Sequence, residues 1–163
     1  PILLLGLERN DGHSLSDYKS FTPALQNALQ KYSQNGGALL VSGAYVGSDM
    51  TSDSEQQFLT NVLKCRYAGR SLADSGTVKG LGITLDYWNQ PNATHYAATS
   101  VDILQPVKPA FTAMQYADGQ DAAVAYKQGR ESVFVMGFPF ECIKEHQKRS
   151  SIMQGILNYL LNN

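Results

Sequence analysis

The clearest chemical signal in the sequence is Gly43-Ala44-Tyr45-Val46-Gly47, which has the Gly-x-nucleophile-x-Gly shape. A strand-to-helix elbow of that kind strains its central residue and exposes the side chain, so small residues must flank it. A working acyl acceptor would be Ser or Cys; Tyr45 instead offers a phenol, whose ordinary pKa of about 10 makes it a poor nucleophile. Beside it, Ser42, Ser48 and Asp49 could bind a polar ligand, or Ser48 and Asp49 could satisfy backbone donors of the turn or of a helix start. Glu141, in Gly137-Phe138-Pro139-Phe140-Glu141, could be a general acid or base, or could pair with Arg149 or cap the next segment. A polysaccharide lyase or hydrolase at this place would use Tyr45, Asp49 and Glu141. A lyase also needs a cation against the uronic carboxylate, for which Arg66 and Arg70 are candidates, although nothing in the spacing joins them to the tyrosine.

A second constellation suits binding rather than turnover. Asp86-Tyr87-Trp88-Asn89-Gln90 and Tyr96 set flat aromatic faces beside amide and carboxylate groups, a combination that stacks on sugar rings and reads hydroxyls. Ser42, Ser48, Tyr87, Trp88 and Tyr96 are thus the candidate ligand-binding residues. The competing reading puts Trp88 over the edge of a core. Metal chemistry is not expected, because Cys65 and Cys142 form no CxxC pair and His13, His95 and His146 are scattered. No cofactor is expected either, and the two thiols read as free and buried.

The elements that must position these groups follow from periodicity. Ile2 to Leu5 is an apolar run closed by Gly6 and reads as a strand buried on both faces. Thr22-Pro23 reads as a helix cap, and Leu25, Ala28, Leu29 and Tyr32 fall on one helical face. Asn35-Gly36-Gly37 ends that helix, and Ala38 to Val41 is a second buried strand, completing a βαβ unit with parallel strands. Ser54-Glu55-Gln56-Gln57 has capping-box spacing before a helix reaching about Lys64. Residues 66–110 are broken by Gly and Pro into short strands. The runs Ala113–Tyr116, Ala122–Tyr126 and Ser132–Gly137 suggest an antiparallel β-meander, and Ile152, Met153, Ile156, Leu157, Leu160 and Leu161 a final helix. The expected fold is an α/β three-layer sandwich with a mainly parallel sheet plus that meander. In parallel sheets ligands gather beyond the carboxyl ends of strands, here Gly6-Leu7-Glu8, Ser42 to Gly47 and Gly137 to Glu141.

Composition agrees with one domain over residues 1–163. Apolar residues make up 43% of the 163 and charged residues 17%, which excludes disorder and leaves enough material for a core. Thirteen Lys and Arg against fourteen Asp and Glu give a net charge of −1, so no general field would attract nucleic acid or anionic lipid. No apolar stretch approaches the ~20 residues of a membrane-spanning helix.

The order of elements resembles the class I glutamine-amidotransferase-like fold, a flavodoxin-like sandwich. Pro1–Gly6 is similar to its glycine-ended strand, Gly43–Gly47 to its elbow and Gly137–Glu141 to its late motif. Tyr45 stands where that family has cysteine and no histidine lies between Gly137 and Glu141, so covalent catalysis of that kind is not implied. A further resemblance, carried by Asn35–Asp49, Gly137–Glu141 and Arg149-Ser150-Ser151-Ile152-Met153, is to a domain of large secreted bacterial xanthan lyase and golvesin-like proteins. It implies a non-catalytic accessory or carbohydrate-associated domain, secreted or at the cell surface or periplasm. Its partners would be polysaccharide and other domains of a parent chain. It also implies that this chain is a fragment, with one or two βα units preceding Pro1.

Overall fold

A computed structural model of the chain describes residues 1–5, 18–71 and 75–162. Helix α1, Pro23–Gln34, starts where Thr22, itself extended, accepts a hydrogen bond from the Leu25 N–H, with proline in the first turn. Helix α2, Asp53–Asn61, is opened by a reciprocal capping box, but between Ser52 and Glu55 rather than Ser54 and Gln57. It stops at Asn61 instead of reaching Lys64, because Lys64 takes a left-handed conformation (φ 60°) that turns the chain into the next strand. Helix α3, His146–Leu161, closes the chain.

The strands are β1 (Ile2–Leu4), β2 (Ala38–Ser42), β3 (Cys65–Ser71), β4 (Thr77–Gly80), β5 (Ile83–Asp86), β6 (Val101–Pro106), β7 (Phe111–Tyr116), β8 (Asp121–Gln128) and β9 (Glu131–Met136). Seven form one sheet in the order β1-β2-β9-β8-β7-β4-β5, and β3 pairs with β6 apart from it. Only β1–β2 and β2–β9 are parallel; the β9–β8, β8–β7, β7–β4 and β4–β5 pairings, and β3–β6, are antiparallel. The expectation of a mainly parallel, flavodoxin-like three-layer sandwich is therefore corrected: the sheet is mixed and mostly antiparallel. The physical reason lies in the connections. One βαβ crossover is followed by tight returns, at Leu81-Gly82 and at Gly119 and Gly129, whose positive φ angles suit hairpins. A hairpin can join only antiparallel neighbours. The first apolar run is also misjudged by pattern alone. It is an edge strand, with Leu3 40% exposed rather than buried on both faces.

Side chains alternate across the central strands, so two cores form. Leu39, Val41, Val124, Val133 and Val135 pack with Leu29 of α1 and with Phe58 and Leu59 of α2. Leu40, Ala123, Ala125, Phe134 and Met136 pack with Ile152, Ile156 and Leu160 of α3. Each core also encloses a thiol, Cys65 in the first and Cys142 in the second. Burial pushes Cys65 up to about 12, aided by the Asp102 charge, and Cys142 up to about 12, aided by Glu141. Because the thiolate is the reactive species, neither thiol should alkylate with iodoacetamide at mildly alkaline pH while the protein is folded. Both should do so in denaturing guanidinium, and mass spectrometry would count the adducts. Labelling of either cysteine without denaturant would contradict this packing.

Candidate functional site

The glycine-flanked turn is held from below by a carboxylate that does not belong to it. Asp102, second residue of β6, is fully buried. Its Oδ2 accepts from the Gly47 N–H at 2.7 Å and the Ser48 N–H at 3.0 Å. Its Oδ1 accepts from Arg70 Nη1 at 3.1 Å. Arg70 is its cross-strand partner on β3. The same Nη1 donates to Ser48 Oγ at 2.9 Å, Nη2 donates to the Ser100 carbonyl at 2.8 Å, and Nε donates to Ser100 Oγ. The guanidinium lies over the Tyr45 ring, 4.6 Å from its centroid, a cation–π contact. Burial pushes the Asp102 carboxyl above the usual carboxylate range, while the Ser48 and Gly47 N–H groups and the Arg70 charge pull it back. The Asp102 backbone is tied as firmly. Its N–H donates to the Gly137 carbonyl at 2.8 Å, and its carbonyl accepts from the Tyr116 hydroxyl at 2.8 Å.

Above this network lies a cavity of about 300 Å³ lined by Tyr45, Ser48, Asp49, Arg70 and Ser100. Tyr45 is half-buried and does not have the strained backbone of a nucleophile elbow. Among the described residues only Lys64 and Leu81 are non-glycine positions with positive φ. Nor does the chain enter a helix at once, since residues 44–49 are turn and α2 begins at Asp53. Asp49 is buried at the cavity wall, where its Oδ2 accepts from the Ser20 N–H at 2.9 Å and the Ser20 hydroxyl at 3.0 Å. Its carbonyl accepts from Lys19 Nζ at 2.5 Å.

The other candidates lie elsewhere. Ser42 is fully buried; its hydroxyl donates to the Phe138 carbonyl and accepts from the Phe140 N–H at 2.6 Å, stitching the end of β2 to the segment after β9. Glu141 is exposed in a short 3-10 turn, Phe140–Cys142, and does not line the Tyr45 cavity. Arg66 is exposed on β3, opposite Gln105, and does not line the cavity either. Tyr87 belongs to the core, stacked on Phe138 at 5.5 Å. Trp88 is half-buried, with His95 stacked on it at 4.9 Å and 16° and Lys144 Nζ 4.9 Å from its centroid. Tyr96 is exposed. The strand end Gly6-Leu7-Glu8 and His13 lie outside the described residues. Among the described residues no group of three His, Cys, Asp or Glu is placed to hold a metal ion, and no helix is long and apolar enough to cross a membrane.

Sequence reading did not single out Ser100 or Asp102, and it raised Arg70 without a partner. Asp102 had one signal, a carboxylate inside the apolar run Val101-Asp102-Ile103-Leu104, where an ionised group must find partners. Nothing local announced that those partners lie 32 and 55 residues earlier in the chain.

No protein-family model matches the chain, and no curated protein matches it. Solved structures do. The chain is similar to Gan42B, a GH42 beta-galactosidase, at 14% identity and TM-score 0.59 over 86% of this chain and 20% of that one. An exo-beta-1,4-mannosidase from Opitutaceae bacterium strain TAV5 aligns at 15% identity and TM-score 0.55, over 88% of this chain and 24% of the mannosidase. The mmIFT52 N-terminal domain aligns at 16% identity and TM-score 0.58, over 88% of this chain and 73% of that one. The chain thus spans about a fifth to a quarter of the two glycoside hydrolases. With the mixed sheet, these neighbours replace the glutamine-amidotransferase-like, flavodoxin-like reading, and nothing in them supports the xanthan lyase resemblance. At such identities the shared property is the fold, a mixed-sheet domain that glycoside hydrolase chains also contain.

Proposed function

We propose that this chain is a non-catalytic, carbohydrate-associated domain of a larger protein. The observation that carries this reading is the mutual neutralisation of Arg70 and Asp102 beneath the Tyr45 cavity. A lyase would need an uncommitted cation for the uronic carboxylate and a base in reach of the neighbouring proton. Arg70 already serves Asp102, Ser48 and Ser100, and its face covers the tyrosine. A glycosidase would need two carboxyl groups flanking one bond, about 5–5.5 Å apart for retention and about 6.5–9.5 Å for inversion. Asp49 lines the cavity, but Asp102 is sealed beneath it and Glu141 is elsewhere. The fold likeness to a beta-galactosidase and a mannosidase, in each of which such a domain is a minor part of the chain, supports association with sugar chemistry carried out by another domain.

A glycan array probed with the folded chain, followed by product analysis on each glycan bound, tests the reading. Binding without cleavage is the expected result. Absence of binding to every glycan would overturn it. So would turnover that Tyr45→Phe abolishes, which would instead establish an enzyme at this cleft.

A further inference from the structure

Resting on the carbohydrate-associated reading, we infer that the groove between α1 and α2 is a saccharide subsite that holds one sugar unit through side-chain amides. The helical period builds it. Gln26, Asn27 and Gln30 are spaced three and four apart on α1, and Ser54, Gln57 and Asn61 three and four apart on α2, so each set falls on one helix face. Leu29 of α1 and Phe58 and Leu59 of α2 are drawn into the shared core, which leaves the polar stripes at the surface. The two stripes line one groove of about 220 Å³, together with the buried Phe58 and Val62. That is smaller than the about 300–1,000 Å³ of a pocket for a drug-sized molecule, and it suits a single unit of an oligosaccharide.

The chemistry of the lining points to a hydroxylated ligand. An amide carries a carbonyl acceptor and two N–H donors, so one side chain can accept from one hydroxyl and donate to the next, as adjacent sugar hydroxyls require. Gln26 is the anchored member: its Nε2 donates to the Phe21 carbonyl at 2.9 Å, and its Oε1 is left to accept. The amides of Asn27, Gln30, Gln57 and Asn61 have no hydrogen-bond partner among the described residues. The Tyr45 cavity differs in this respect, since Arg70 spends its donors on Ser48, Ser100 and Asp102. No acidic or basic side chain lines the groove, so a phosphate would meet no cation there. A wholly apolar ligand would strand the amides that a sugar satisfies.

The test is calorimetric titration of the folded chain with manno-, galacto- and cello-tetraose, repeated on the double variant Gln30→Met with Gln57→Met and on Gln147→Met. Methionine keeps the length and helix propensity of glutamine while removing the amide. Gln30, Gln57 and Gln147 are all exposed, Gln147 on α3, and circular dichroism would confirm each fold. At least one tetraose should bind. The double variant should weaken that binding by about tenfold or more, the loss of one or two net hydrogen bonds, while Gln147→Met should leave it within about twofold. Binding should also change by less than about twofold between about 0.05 and 0.5 M sodium chloride, because no charge lines the groove. Unchanged binding by the folded double variant, an equal loss in Gln147→Met, a steep fall with salt, or array binding without binding of any tetraose would each overturn the subsite while leaving carbohydrate association standing. If the double variant does not fold, Asn27→Leu with Asn61→Leu is read by the same criterion. Failure of every glycan on the array would remove the underlying reading itself.

Discussion

Replacing Asp102 by alanine should destabilise the protein by about 3 kcal/mol, within the range for breaking a buried ion pair from one side. The substitution strands three donors at once. The buried Gly47 N–H and the partly buried Ser48 N–H lose their acceptor, and Arg70 keeps a charge that no other carboxylate reaches among the described residues. In a chain of this size that loss corresponds to a fall of about 6–12 °C in melting temperature. Arg70→Met should cost less, because the Arg70 side chain is 24% exposed and Asp102 would keep its two backbone donors. The ordering of the two variants carries the information. If the carboxylate mainly holds the turn, Asp102→Ala is the worse; if it mainly balances the arginine, the two are equal. Guanidinium denaturation of both gives the comparison, and an Asp102→Ala cost below about 1 kcal/mol would mean that the turn at residues 44–49 holds itself.

That network also shows which kind of information the sequence held. Thr22-Pro23 announces a helix start because capping is a contact between residues three apart, and a run of such contacts is written locally. The box before α2 is local too, and its two-residue offset from Ser54 to Ser52 reflects only that the two serines are chemically alike. Sheet order is different. Ala38 to Ser42 reads as a buried strand whichever neighbours it has, and nothing in its residues says that β9, nearly a hundred positions later, lies beside it in parallel. The apolar run at Ile2–Leu4 shows the same limit, since hydrophobicity does not distinguish a central strand from an edge strand. At the candidate site, Tyr45, Ser48 and Asp49 were legible because they share one turn, whereas Arg70, Ser100 and Asp102 join them only through the β3–β6 pairing. The Tyr87–Trp88 constellation divides for a related reason. Neighbours along an extended chain point to opposite sides, so Tyr87 enters the core while Trp88 meets His95 and Lys144.

Gly137→Ala should be as damaging as the loss of Asp102, at about 3 kcal/mol, the upper part of the usual range for overpacking. A Cβ at residue 137 would sit 2.2 Å from the Asp102 carbonyl oxygen and 3.0 Å from its carbon, and backbone atoms cannot rotate away as a side chain can. The segment has little freedom to shift, since the Gly137 N–H donates to the Ala122 carbonyl at 2.9 Å and its carbonyl accepts from the Asp102 N–H at 2.8 Å. Relief would require separating β6 from the end of β9, which would carry Asp102 away from Gly47 and Ser48 and loosen the Tyr45 turn. The glycine that opens Gly137-Phe138-Pro139-Phe140-Glu141 is therefore explained by close backbone approach, with no appeal to chemistry at Glu141. Gly155→Ala is the matched control, because its Cβ would meet nothing nearer than Leu81 Cδ1 at 3.9 Å. In the middle of α3 the change from glycine to alanine should stabilise by up to about 1 kcal/mol. Denaturation curves that gave the two substitutions the same sign would show that the β6–β9 junction is looser than these distances require. A Gly137→Ala protein of normal stability would in addition detach the glycine from the network that holds the cavity.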